Sequence, residues 1–212
     1  MKMTVFGATG GTGTQLVTQA LGAGHEVLAV VRGRSRLAIP AHPNLEVAEA
    51  DVMDPGSITA AVNGRDAVVS AIGSRAGVRE PTTVCADSVR SIITAMQAAG
   101  SRRLLVVSGS GPFTEGDGPL MRYVAKPITQ RVLRHTFADF VAMEAAVAKS
   151  GLDWTIVRPP ALTDKPLTGR YRTRRELNLR RGVRVSRADV AHLILAISGD
   201  PGTYHAAIFI AN

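Results

Sequence analysis

The chain has 212 residues, 45% of them hydrophobic and 20% charged, with a formal net charge of +8. A chain of this length buries a sizeable core, and its ordinary apolar fraction excludes collagen-like, low-complexity and disordered classes. The arginine-rich excess points to anionic partners, while only 4% aromatic residues are too few for the stacking platforms that single-stranded nucleic acid prefers. No apolar run approaches the roughly 20 residues that span a bilayer. Glycine interrupts the N-terminus too early for a signal peptide. The lone Cys85 excludes an internal disulfide and any multi-thiolate metal site. The expectation is a cytoplasmic protein with no membrane partner.

Lys2 to Phe6 is a short β-type run that leads into a glycine-rich turn from Gly7 to Gly13. Thr14 to Ala23 has helical spacing, with Leu16, Val17, Ala20 and Leu21 on one side and Gly22 and Gly24 ending it. Strand-like runs follow at 26–31 and 45–50, then a short helix from Ser57 and a strand at 67–71. A long helix over 82–99, a strand at 104–107, a helix over 137–149 and a strand at 154–157 complete the regular part. Short apolar runs alternating with helices specify right-handed βαβ units. The fold class is therefore α/β, a doubly wound parallel sheet (Rossmann fold) in a single domain over 1–212, with strand order 3-2-1-4-5-6-7. Two excursions, about 111–136 and 161–185, break the pattern. Gly111 to Pro127 reads as a loop or flap over the carboxyl edge of the sheet, and the Arg- and Thr-rich stretch after Ala161 as a pair of β segments. Ser186-Arg187-Ala188-Asp189 has the spacing of a capping box, so a helix spans 187–198. Ala207 to Ile210 is a closing strand.

The turn Gly7-Ala8-Thr9-Gly10-Gly11-Thr12-Gly13 directly follows the first strand and directly opens a helix. That context brings backbone N–H groups and a positive helix end onto a pyrophosphate. Gly7 permits the tight turn, Gly10 lets phosphate approach, and Gly13 lets helix pack on strand; Thr9 and Thr12 can add hydroxyl contacts. NAD-binding folds usually place an acid at the end of the second strand. Here Arg32 stands there, followed by Gly33, Arg34, Ser35 and Arg36, which suits the 2′-phosphate of NADP(H) and gives a preference for it over NAD(H). Asp51 and Val52 follow the third strand, where Asp51 either flanks the adenine or caps a turn. Ala71, Ile72 and Gly73 follow the fourth, small enough for close approach to ribose and phosphate.

These residues resemble the NAD(P)H-binding branch of the atypical short-chain dehydrogenase/reductases, and within it the flavin reductase (biliverdin reductase B) type. The likeness rests on 7–10, on Val31-Arg32 with Ser35-Arg36-Leu37, and on Gly73-Ser74-Arg75. It extends to Pro81-Thr82-Thr83-Val84, Ser150-Gly151-Leu152, Pro159-Pro160 and Pro166-Leu167-Thr168-Gly169. The resemblance implies a 2′-phosphate on Arg32 and Arg36, ribose and pyrophosphate contacts at Gly73 and Arg75, and the nicotinamide near Ser108, Gly109, Pro159 and Pro160. The chain departs from it at Ala161, where such reductases carry histidine, and at Gly109, where a hydroxyl residue is usual.

Typical short-chain dehydrogenases use Tyr and Lys four apart on one helix. Tyr123 and Lys126 are three apart, and Pro127 disfavours a helical Lys126, so they are not read as a catalytic pair. The reaction left is direct hydride transfer to an acceptor needing little proton help: a flavin, a quinone or a linear tetrapyrrole, possibly anionic. Ser108 and Ser110 are the candidate catalytic residues, orienting the carboxamide or relaying a proton, or else plain turn hydroxyls. The five histidines have no metal-ligand spacing, and no metal is expected. No second nucleotide site argues for a tightly bound flavin. Asp139 and Glu144 read as helix-capping or arginine-pairing groups, Cys85 as a core residue, and Phe113, Phe137 and Phe140 as core or pocket wall. The arginines from 170 to 187 read as recognition of an acidic substrate, as a nucleic-acid or regulatory contact, or as solvated surface. The alternative function is a regulatory protein that senses NADP(H) without turnover. The oligomeric state stays open.

Overall fold

The computed structural model describes residues 1–33, 37–74 and 80–212. The strands are β1 (Lys2–Phe6), β2 (Glu26–Val31), β3 (Leu45–Glu49), β4 (Ala67–Ser70), β5 (Arg103–Val107), β6 (Asp153–Arg158), β7 (Ala161–Thr163), β8 (Arg172–Arg175), β9 (Arg184–Ser186) and β10 (Ala206–Ala211). The helices are α1 (Gly11–Gly22), α2 (Pro55–Val62), α3 (Val84–Ala99), α4 (Lys126–Val132), α5 (Arg134–Ala148) and α6 (Arg187–Ile197).

The main sheet runs β3-β2-β1-β4-β5-β6-β10-β8. Every neighbouring pair is parallel except β10 with β8. This is the α/β doubly wound Rossmann architecture. The expected order is present and gains an antiparallel eighth strand from the arginine-rich stretch. Period-2 alternation divides β2 between two layers. Val27, Ala29 and Val31 face α1 and α6, while Leu28 and Val30 face α2 and α3. The stripe Leu16, Val17, Ala20 and Leu21 is buried, as its spacing implies. Both faces are thus covered, which places the carboxyl ends of the strands as the open edge of the layer sandwich.

Three expectations are corrected. First, α1 starts at Gly11 rather than Thr14. Glycine is a poor helix former, yet close contact between Gly13 and the turn overrides propensity here. Second, residues 119–132 are helical rather than a loop. A π turn over Met121–Ala125 runs straight into α4, and Lys126 is α-helical (φ −67°, ψ −42°) although Pro127 follows. The Lys126 N–H bonds back to Met121 O, so the widened turn accommodates the proline ring without breaking the helix. Third, the 161–185 excursion forms three β segments: β7 pairs in parallel with β9, and β8 closes the main sheet. Ser186 caps α6 as its motif implies, its Oγ accepting from the Asp189 N–H at 2.9 Å. Among the described residues no helix is long and apolar enough to cross a membrane.

Candidate functional site

The turn after β1 closes on itself, with Gly10 N–H donating to Gly7 O at 2.9 Å and Thr14 N–H to Gly10 O at 2.8 Å. Gly7 has φ +77°, and a Cβ there would stand 2.7 Å from the Ala71 carbonyl carbon. A Cβ on Gly13 would stand 2.1 Å from Gly7 O. Both glycines are therefore demanded by backbone contact. Gly10 is different: it is the N-cap of α1 and puts no side-chain cap on the helix. The first turn of α1 contains no acid either. This positive helix end is left open to an anion.

The nearby N-terminus of α3 is not open. Asp139 on α5 accepts from the Cys85 and Ala86 N–H groups at 3.0 and 2.9 Å. Burial, and then the Asp139 charge, push the Cys85 thiol up to about 12, so Cys85 is an inert core thiol. Glu144 forms a buried ion pair with Arg158, whose guanidinium covers the Phe113 ring at 3.5 Å. Glu144 thus pairs with an arginine, as its position suggests, whereas Asp139 caps α3 rather than its own helix α5, a contact that local sequence does not announce.

A groove of about 220 Å3 brings together Gly7, Thr9, Gly10, Arg32, Asp51, Val52, Ala71, Ile72 and Gly73. These come from the ends of β1 to β4, far apart in sequence. Asp51 also accepts from the Met53 N–H at 3.0 Å, so its turn role and its place in the groove coexist. Thr12 and Gly13 are buried in the first turn of α1. Arg36 and Arg75 lie outside the described residues.

A second cavity, of about 510 Å3, lies past the ends of β5 and β6. The ladder between these strands continues beyond them: Ser108 N–H donates to Val157 O at 2.9 Å and Ser110 N–H to Pro159 O at 2.8 Å. That pairing sets Ser108, Gly109, Ser110, Pro159 and Pro160 side by side on the cavity wall. Phe137 and Phe140 add flat apolar surface, whereas Phe113 packs edge-on against Phe209. At Gly109 a Cβ would meet the Phe140 ring at 3.0 Å, so Phe140 takes the room that a hydroxyl residue would need. Ser108 Oγ is buried and has no hydrogen-bond partner among the described residues.

Three cations reach this cavity: Lys126, Arg181 and Arg187. Lys126 is buried, its Nζ 2.5 Å from Asp117 and hydrogen-bonded to Ser110 O and Phe113 O. Burial pushes its pKa down, and Asp117 opposes the shift. Tyr123 is exposed, so the Tyr123–Lys126 pairing is absent in space as well as in spacing. Arg187 lines the cavity and also a cleft with Thr9 and Gly11. In the sequence it is one of many arginines; only the fold sets it beside the glycine turn. The other arginines divide. Arg172, Arg174 and Arg175 lie on the exposed edge strand β8, and Arg181 lines the cavity.

The family model described as NAD(P)H-binding matches residues 7–201. The chain belongs to the NAD(P)H-binding family. An uncharacterised chloroplastic protein of Arabidopsis thaliana is 31% identical over 79% of this chain, which spans only 61% of that relative. A short-chain dehydrogenase/reductase of Veillonella parvula, solved in complex with NADP, has a TM-score of 0.83 at 20% identity over 100% of this chain and 94% of that one. ChuY, an anaerobillin reductase from Escherichia coli O157:H7, has a TM-score of 0.79 at 22% identity over 100% and 97%. The residues present fit the family's dinucleotide. The open helix end at Gly10 accommodates an anion, and the partnerless Ser108 hydroxyl offers a donor and an acceptor to a polar group.

Proposed function

We propose that this NAD(P)H-binding protein is an NADPH-dependent reductase of a flat, conjugated acceptor: a flavin, a quinone or a linear tetrapyrrole. One observation carries the reading. Ser108 buries an unsatisfied hydroxyl in an apolar cavity that Arg187 connects to the glycine turn. An orphaned buried hydroxyl costs about 1–3 kcal/mol, a cost that a ligand in the cavity relieves.

Bound NADPH supplies the hydride that reduces the acceptor. The chain supplies binding, orientation and exclusion of water. The N–H groups at the open end of α1 hold the pyrophosphate. Arg32 holds the 2′-phosphate, for no acid stands at the end of β2 to bind a free ribose hydroxyl. Asp51, Val52, Ala71, Ile72 and Gly73 wall the adenosine half. Ser108 Oγ orients the nicotinamide amide, with Gly109, Pro159 and Pro160 around it, and Ser110 stands beside the acceptor. Phe137 and Phe140 provide flat, dry surface. Arg181 and Arg187 favour an anionic acceptor. With Tyr123 exposed, no phenol acid serves the cavity, and the acceptor must accept reduction with little proton assistance. ChuY, of the same fold, is named a reductase.

The test is NADPH and NADH consumption against FMN, riboflavin, biliverdin and quinones, with cofactor affinity measured on the same sample. NADPH-selective binding with turnover supports the reading. Selective binding without turnover on any acceptor replaces it with a dinucleotide sensor.

A further inference from the structure

The helical segment 119–132 carries two adjacent stripes, each repeating every four residues. Met121, Ala125, Thr129 and Leu133 line the acceptor cavity. Leu120, Val124, Ile128 and Val132, with Tyr123 beside them, point away and are between 51% and 76% exposed. Single exposed apolar residues need no explanation, but five on one face mark an interaction surface. The sequence contains no Asp or Glu between Asp117 and Asp139, nor between Glu176 and Asp189. Arg122, Arg131 and Arg134 flank the stripe and are exposed. Arg172, Arg180 and Arg181 line an adjoining apolar hollow that also contains Leu120 and Met121. Among the described residues none of these six arginines forms an ion pair.

We propose that this face docks on an anionic lipid surface, lying on the membrane. An aliphatic stripe bordered by arginines, with no carboxylate, is the chemistry of an interfacial helix. The side chains Leu120, Val124, Ile128 and Val132 enter the acyl boundary, and the arginines meet headgroup phosphates. A second copy of the chain fits less well. A two-fold contact through this stripe brings the Arg122, Arg131 and Arg134 sets of two copies into one interface with no acid to pair them. The lack of a membrane-spanning helix does not bear on a helix that lies on the surface. Because the exposed stripe adjoins the cavity-lining stripe, a lipid-dissolved acceptor reaches the cavity without crossing water; this last point, unlike the docking itself, rests on the reductase reading.

The experiment is flotation of the full chain with vesicles of phosphatidylcholine alone or mixed with phosphatidylglycerol, at low and high salt. NADPH affinity, turnover of a soluble acceptor and light scattering are measured in parallel. The wild type is expected to float only with phosphatidylglycerol present, and to be released by salt. The double variant Ile128→Asp/Val132→Asp loses more than about tenfold in vesicle affinity. Arg122→Gln and Arg131→Gln, which leave the stripe intact, each lose about fivefold. NADPH affinity is unchanged in all of them. No flotation at low salt, or undiminished flotation of the double variant, overturns the proposal. A dimer that Ile128→Asp turns into a monomer also overturns it, by assigning the face to a second copy. Flotation without turnover of any soluble acceptor removes the reductase reading and leaves the docking standing.

Discussion

Arg187 lies across Gly11. A Cβ placed on Gly11 would stand 2.6 Å from Arg187 Cδ and 2.8 Å from Nε, while the guanidinium reaches Asp164 at 2.6 Å. The bare glycine thus seats an arginine beside the open helix end. Gly11 and Gly13, two residues apart in one turn, therefore meet different neighbours, a side chain and backbone, and their alanine variants should behave differently.

Gly13→Ala meets backbone, which cannot yield, and should cost about 1–3 kcal/mol of stability or more. Gly11→Ala meets a flexible side chain, so stability should change by less than about 1 kcal/mol. It should instead displace Arg187, which shares a cleft with Thr9 and Gly11, and weaken NADPH binding about tenfold, as should Arg187→Gln. Thermal melting and cofactor titration of the three variants check this. Equal destabilisation by both alanines would remove the distinction.

Ser108→Ala should stabilise the cofactor-free protein by about 1 kcal/mol, because it deletes a buried hydroxyl without a partner. Turnover should fall, and the stabilisation should shrink when NADPH is present. Ser110→Ala is the companion variant. Unchanged turnover in both would remove hydroxyl participation from the site.

Arg32→Glu should raise the NADPH dissociation constant at least about tenfold while changing that for NADH far less. The cation is then replaced by a carboxylate, which repels the 2′-phosphate. Equal losses for both cofactors, measured by titration, would show that Arg32 does not read the 2′-phosphate.

Asp189 gives a pH dependence. It accepts from the Thr168 and Gly169 N–H groups at 2.9 Å and from Thr168 Oγ1 at 2.9 Å, and Asn212 adds a fourth bond at 3.2 Å. Burial raises its pKa, but the bonds from Thr168 and Asn212, with Ser186, outweigh burial and hold it below the ordinary aspartate value. A depressed folded pKa stabilises the protein above the unfolded value of about 3.9. That contribution is lost as the pH falls through the lower folded value. Asp189→Asn should lower stability at neutral pH and flatten the acid limb of the melting profile. An unchanged acid limb would show that the bonds from Thr168, Gly169 and Asn212 do not depress the Asp189 pKa.

Much of the site was legible because it is written in local spacing. The glycine turn, Arg32 at the end of β2, and the small residues after β4 all follow strands whose ends converge in any parallel βαβ sheet. Ser108 and Pro159 follow the same logic at β5 and β6. The helix over 119–132 was not legible. Gly118, Pro119 and Pro127 read as breaks, and only a π turn reconciles the last with a continuous helix.

The amino-acid sequence by itself determined the alternation of elements, the glycine turn and the Ser186 cap, since each depends on periods and contacts within a few residues. Tertiary structure alone decided which arginine reaches Gly11, that Asp139 closes the N-terminus of α3 while α1 stays open, and that Lys126 is buried against Asp117. It also decided that β8 joins the sheet edge. These are contacts between segments far apart in the chain, set by where the sheet places helix ends. No local spacing encodes which of several like-charged side chains will lie there.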